Sequence, residues 1–179
     1  MAEAFSNKVA RAVGVVNTAT GGAIGITTNL ITGISTTGVS LDDLIDNGNY
    51  IAGTKVTSIG SGNVVVDRDS TNTSATTGQI VKFLQPQVLY TSPASVKTIL
   101  IGGTFANNTN GQVSLTIQVL DQSTGITVAI ASKIPVPAGS SFVISDTGKT
   151  LLEGNDALKV ACDTAGAIDA NISILTGVN

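Results

Sequence analysis

QVLYTSP (87–93), VKTILIGGTFANN (96–108), QVSLTIQVLDQ (112–122), GITVAIASKIPVP (125–137), SSFVIS (140–145), DALKVACD (156–163) and AIDANISILTG (167–177) follow one another through Gln87–Asn179. Each is a short apolar run, and between them stand Pro93, Asn107–Gly111, Gly125, Pro135–Gly139, Gly148, Gly154 and Gly166. Six or seven strands spaced by roughly 8–12 residues, with turn residues between them, predict an antiparallel β-sandwich. Val113, Leu115, Ile117 and Val119 alternate with Ser114, Thr116 and Gln118, the period of a half-buried strand. Ile126, Val128 and Ile130 are expected to face the same core, as are Leu158, Val160 and Cys162. Phe142 and Ile144 point inward on this reading. Val143 beside them and Leu175 after Ile172 and Ile174 break the strict alternation.

Composition agrees with strands and narrows the chemistry. The 179 residues include 20 Gly, 3% aromatic residues and no Trp. Small, β-branched and hydroxyl residues favour strands and turns over long helices. Only 12% of residues are charged, about half the usual quarter. So little charge suits a protein whose faces are covered by neighbours. A net charge of −3, with its nine cations scattered, argues against nucleic-acid binding. There is no His, which excludes imidazole bases, triads and zinc–histidine sites. A single cysteine excludes an internal disulfide framework. No span is apolar enough to cross a bilayer as a helix, and residues 1–22, interrupted by Lys8 and Arg11, do not read as a signal peptide.

Three segments are expected: an N-terminal anchoring arm (1–23), a small β-barrel-like module (24–85) and the β-sandwich (86–179). In the arm, Phe5, Val9, Ala12 or Val13, and Val16 fall at helical spacing, so a short amphipathic helix is expected to order against a neighbour. In the module, IAGTKVTSIGSGNVVVD (51–67) is the clearest hairpin, turning at Gly60–Gly62. Ser40 is placed to cap one helical turn carrying Leu41, Leu44 and Ile45. Pro86 forces extended geometry on Gln85 and marks a tight boundary.

No residue set carries catalytic or metal-binding chemistry. Asp42, Asp43 and Asp46 form the densest acidic cluster, but without calcium-loop spacing they read as solvated caps. Cys162 on an apolar strand face reads as a small buried hydrophobe. The glycine pairs lack the lysine and the strand–loop–helix context of a phosphate loop. Glu153 and Asp156 are expected to bond the backbone of the Gly154–Asn155 turn. The chain therefore reads as a non-enzyme with no cofactor and no metal. The residues expected to make assembly contacts are Phe5, Val9, Arg11, Val13 and Val16 of the arm, with Asp67, Arg68 and Asp69 as an intersubunit charge group.

Two patterns add a resemblance. IAGTKVTSIGSGNVVVD (51–67) with QIVKF (79–83) resembles a small recurring module of phage fibres, tails and other virion proteins. VLYTSP (88–93), IGGTFANNT (101–109), KIPVPAG (133–139), LLEGND (151–156) and ISIL (172–175) resemble the β-sandwich of virion proteins of tailed bacteriophages, most of all the T4-like phages of cyanobacteria. The resemblance implies a virion structural subunit, assembled in the host cytoplasm, that decorates or cements the capsid or forms part of the head–tail neck. Its implied partners are copies of itself and the major capsid, neck or tail proteins, with neither nucleic acid nor membrane. The alternative is a tail or baseplate attachment protein, or a module binding carbohydrate or the host surface. With Tyr50 and Tyr90 its only tyrosines and no Trp, the chain has few aromatics for stacking on sugars.

Overall fold

The computed structural model describes residues 3–13, 15–145 and 149–178, with the backbone alone for 15–17. Fifteen strands and no helix form among them. In order they are β1 (Ala4–Ala10), β2 (Val15–Ile24), β3 (Leu30–Thr32), β4 (Leu44–Asp46), β5 (Val56–Gly60), β6 (Asn63–Val66), β7 (Thr76–Leu84) and β8 (Gln87–Thr91). Then come β9 (Lys97–Asn107), β10 (Val113–Asp121), β11 (Ile126–Val136), β12 (Ser141–Ile144), β13 (Thr150–Leu152), β14 (Ala157–Cys162) and β15 (Ile168–Val178). They build three antiparallel sheets, so the all-β expectation holds.

The chain divides into two compact units. Unit 1 takes residues 1–14, 86–162 and 166–179; unit 2 takes 15–85 and 163–165. The stretch expected as one arm is thus shared: 1–14 belongs to unit 1, and from Val15 the chain runs into β2 of unit 2.

Unit 1 is the sandwich. One sheet runs β1-β15-β9-β12, with β13 also on β9; the other runs β11-β10-β14-β8. Leu100, Phe105, Ile172 and Ile174 from the first sheet meet Leu115, Ile117, Leu158 and Val160 from the second in one core. Cys162 is buried there too, on the face it was expected to share with Leu158 and Val160. The closing turn of β13–β14 is held by Asp156, whose carboxylate accepts from the Glu153 and Gln122 backbone N–H groups at 2.9 and 3.0 Å.

Two expectations fail here. The N-terminal helix is instead β1, paired antiparallel with β15 from Ala4↔Thr176 to Ala10↔Ala170. The reason lies in the spacing: Phe5 and Val9 are four apart, which stacks them on a helix but also puts them on one face of a strand. The free edge of β15 can then satisfy the backbone, which an isolated short helix could not match. Second, Ile126, Val128 and Ile130 do not enter the core; they are 58%, 53% and 41% exposed. Alternation reveals a shared face, not whether anything covers it. β11 is an edge strand, with register shifts on β10 around Ile117 and Lys133 in the left-handed region at φ 51°. Such bulges, the lysine and Pro135 blunt an edge against further pairing.

Unit 2 holds one six-stranded sheet in the order β4-β7-β2-β3-β6-β5. It is not a closed barrel, but its outermost strands approach at the bridge Leu44↔Lys55, where the Ile45 N–H donates to the Thr54 carbonyl and the Val56 N–H to the Asp43 carbonyl, both at 2.9 Å. The expected hairpin is β5–β6, with Gly62 at φ 74°. The helical turn expected after Ser40 is replaced by a tight turn and strand β4. Asp43 explains the change: its Oδ2 accepts from the Ser40 N–H at 2.7 Å and from Gln85 Nε2 at 2.8 Å, closing a loop in place of a helix start. Ile31, Ile45, Val64, Val81 and Phe83 fill the core.

Tyr50 lies in this core and donates its hydroxyl to the Thr28 carbonyl at 3.1 Å. Burial, and then the nearby Asp69 carboxylate, push its pKa up from 10.0 to about 12. Unfolded tyrosine ionises near pH 10, so between the two values only the unfolded chain gives up the proton. The stability carried by the neutral phenol is whole below pH 10 and lost as pH rises through about 12. Unit 2 should therefore weaken across that window, read by circular dichroism and phenolate absorbance. Tyr50→Phe should abolish this component; an unchanged pH profile would contradict the assignment.

Candidate assembly surface

In an antiparallel ladder, directly opposed residues point to the same side of the sheet. Following the register across unit 1's first sheet gives one continuous line: Phe5 opposite Leu175, Leu175 opposite Ile99, and Ile99 opposite Leu151. This row crosses β1, β15, β9 and β13, about 14 Å at the ordinary strand spacing. The residues flanking it in sequence, Ile174, Leu100 and Leu152, face the core and are buried. The row therefore lies on the outer face. Phe5 is 76% exposed and Leu151 48%, while Leu175 and Ile99 are half-buried by their neighbours.

Beside this row is a polar one, Asn7 opposite Ser173 opposite Gly102, in which the Ser173 hydroxyl donates to Asn7 Oδ1 at 2.9 Å. A further row, Val9, Asn171, Thr104 and Val143, is apolar at its two ends. A sheet face carrying an aliphatic and aromatic stripe in open water is a marker of protein contact, because covering it removes apolar area at about 25 cal/mol per Å².

The other expected contact residues fall elsewhere. Arg11 is exposed and pairs with Asp169 at 3.7 Å, a surface ion pair of small energetic weight. Val13 is 1% exposed and belongs to the core of unit 1. The side chain of Val16 lies outside the described residues. Asp67, Arg68 and Asp69 are exposed in unit 2. There Asp67 Oδ1 accepts from the Lys55 N–H at 2.8 Å, and Arg68 donates to the Ala52 carbonyl at 3.2 Å. The geometry brings Phe5 and Val9 onto one face, and binds Asp67 and Arg68 to their own loop at 52–55. The acidic cluster does not converge either: Asp43 serves the Ser40 turn, and Asp46 accepts from the Ala165 N–H at 3.0 Å.

Leu175, Ile99, Leu151 and Val143 were not singled out from sequence as contact residues. Their signal was present as runs apolar at both parities: ILI at 99–101, FVI at 142–144, LL at 151–152 and IL at 174–175. A strand buried on both faces reads in this way.

An open groove of about 560 Å³ lies in unit 1 between Ala106–Asn110 and Ala138–Ser141. Its lining is Ala, Asn, Thr, Gly and Ser, with no aromatic or charged side chain. Asn107, one of its lining residues, spends its whole side chain on internal bonds.

The fold defines an all-β protein, and one of its sheet faces carries an apolar row exposed at both ends. No protein-family model matches the chain, and no curated protein matches it. Among solved structures, a chain of the infectious bursal disease virus Gt strain matches at 8% identity and a TM-score of 0.30, over 98% of this chain and 72% of that one. A chain of the Gx strain matches at 9% and 0.32, over 97% and 70%. A chain of the T13 viral particle of the same virus matches at 8% and 0.31, over 98% and 69%. Similarity at that level assigns neither a family nor a role.

Proposed function

We propose that this chain is a non-enzymatic structural subunit of a virion, present in many copies and held by the outer face of the β1-β15-β9 sheet. The observation that carries the reading is the apolar row Phe5–Leu175–Ile99–Leu151 on a face that the chain itself leaves open. The low charge of 12% supports it, since a surface covered by neighbours needs little charge for solubility. The sequence resemblance to tailed-phage proteins supports the finer placement, with capsid decoration or the head–tail neck ahead of tail or baseplate attachment. Its partners are then copies of itself and the neighbouring virion proteins.

The test is a double variant, Phe5→Asp with Leu151→Asp. Both side chains are exposed, so the fold should survive with unchanged circular dichroism. Burying one such side chain contributes about 1.5–3 kcal/mol, so association measured by sedimentation should weaken on the order of 10- to 100-fold or more. Incorporation into particles should fall in parallel. Association at full strength in a folded double variant would sink the proposed surface. Absence of the chain from purified particles would sink the virion role.

A further inference from the structure

Resting on the reading that copies of this chain assemble, we propose that the N-terminal segment through Val13 is exchanged between copies, so that β1 of one chain pairs with β15 of its neighbour. The register would be the one the single chain already uses, Ala4↔Thr176 to Ala10↔Ala170. The occupant is a second copy of this sequence because the edge of β15 is already complementary to β1, seven residues long.

Three observations point this way. The segment belongs to unit 1, yet the whole of 15–85, a different unit, separates it from the rest of unit 1 along the chain. It is tied to its own sandwich covalently only through unit 2, and any copy of β15 offers it the same partners. Next, β1 contributes a ladder and almost no core, only the partly buried Ala10 at its end packing against the sandwich interior. Every residue from Ala4 to Val9 is exposed, and the positions facing inward opposite the buried Ile174 and Ile172 are Ser6 and Lys8. Moving residues 4–9 therefore withdraws no buried side chain from the sandwich. Last, the remaining contacts of the segment form one portable plug. Val13 fills a core site and donates its N–H to the Ile168 carbonyl at 3.0 Å, and the Ala12 N–H donates to Asp169 Oδ1 at 3.1 Å. Arg11 pairs with the same carboxylate. All of these partners lie at the start of β15, so one neighbour supplies the whole set.

An exchanged pair makes the same contacts as two closed chains. The free-energy difference then rests on the connection to unit 2 and on concentration, and a high local concentration of copies favours exchange. Phe5 travels with β1, so exchange would also complete the apolar row of the neighbour with a residue from another chain.

Asn7 and Ser173, whose side chains meet at 2.9 Å, supply the test. Asn7→Cys and Ser173→Cys are made singly and together in a Cys162→Ala chain. Should that background fail to fold, they are made in the native chain, where Cys162 is 1% exposed and shielded from oxidant. Two differently tagged single variants, assembled together and oxidised, should yield a mixed covalent dimer that neither gives alone. The double variant, oxidised in the assembled state, should shift from the single-chain band to a ladder of multimers on a non-reducing gel. A double variant that closes its disulfide within one chain, while the native sample still sediments as an assembly, overturns the exchange and leaves assembly standing. A chain that sediments singly at every concentration overturns both.

Discussion

Asn107→Ala is expected to destabilise unit 1 by about 2–4 kcal/mol, far more than the loss of a surface amide would. Asn107 is 2% exposed at the end of β9, and its side chain replaces backbone pairing that the loop after it cannot make. Its Nδ2 donates to the carbonyls of Gly111, Val136 and Pro137 at 2.8, 3.0 and 3.0 Å. Its Oδ1 accepts from the Thr109 N–H at 2.9 Å and the Thr109 hydroxyl at 2.8 Å. Truncation takes the amide donor away from the carbonyl of Val136, a residue 1% exposed. An unsatisfied buried group costs roughly 1–3 kcal/mol beyond the bonds lost. Urea titration should show a lower midpoint with the slope unchanged. Asn107→Asp sharpens the test, because it keeps the shape and the bonds to Thr109 but turns an acceptor towards three carbonyl oxygens. It should cost at least as much as alanine. If either variant moved stability by less than about 1 kcal/mol, the network would not be what holds this corner.

Phe105→Ala should cost about 3–5 kcal/mol, the usual range for deleting a fully buried aromatic ring. The ring is fully buried between the two sheets, and its position depends on a neighbour with no side chain. A Cβ on Gly103 would stand 2.8 Å from Ile172 Cγ2 and 3.3 Å from Phe105 Cε2. The glycine thus makes room for the ring and for Ile172, and has no side chain of its own to fill the space when the ring is lost. Phe105→Leu should recover part of the loss, and Gly103→Ala should itself destabilise by overpacking. Thermal denaturation of the three variants would order them; a Phe105→Ala chain melting within a degree or two of the parent would contradict the packing described.

The strands and the all-β class were legible because alternation and turn residues are local signals. Val113–Val119 and Leu158–Cys162 announce a core face by parity alone, and both are buried as expected. The failures share a cause: parity states which residues travel together, not what lies opposite them. Ile126, Val128 and Ile130 share a face but sit on an edge strand beyond cover. Phe5 and Val9 satisfy two periods at once, and only the distant β15, which pairs with them, decides between helix and strand. The candidate surface was half visible. Val143 and Leu175 stood out as breaks in alternation, but joining them to Phe5 and Ile99 requires the register of four strands, which is a tertiary fact.

The position of β15, between β1 and β9, has a consequence for biosynthesis. Both of its flanks wait for it, and the bond from the Thr176 hydroxyl to the Ala4 carbonyl spans 172 residues of chain. Unit 2, drawn almost entirely from the continuous run 15–85, can close early on the ribosome. Throughout that time β1 has no strand to pair with, and once β9 is made its flank stays open as well, showing Ile99 and Leu100 to solvent. Contacts of such long range form slowly, and unpaired strand edges are where chains stick together. Translation of β15 is therefore the moment at which both waiting strands are paired and the nascent sandwich stops being a hazard.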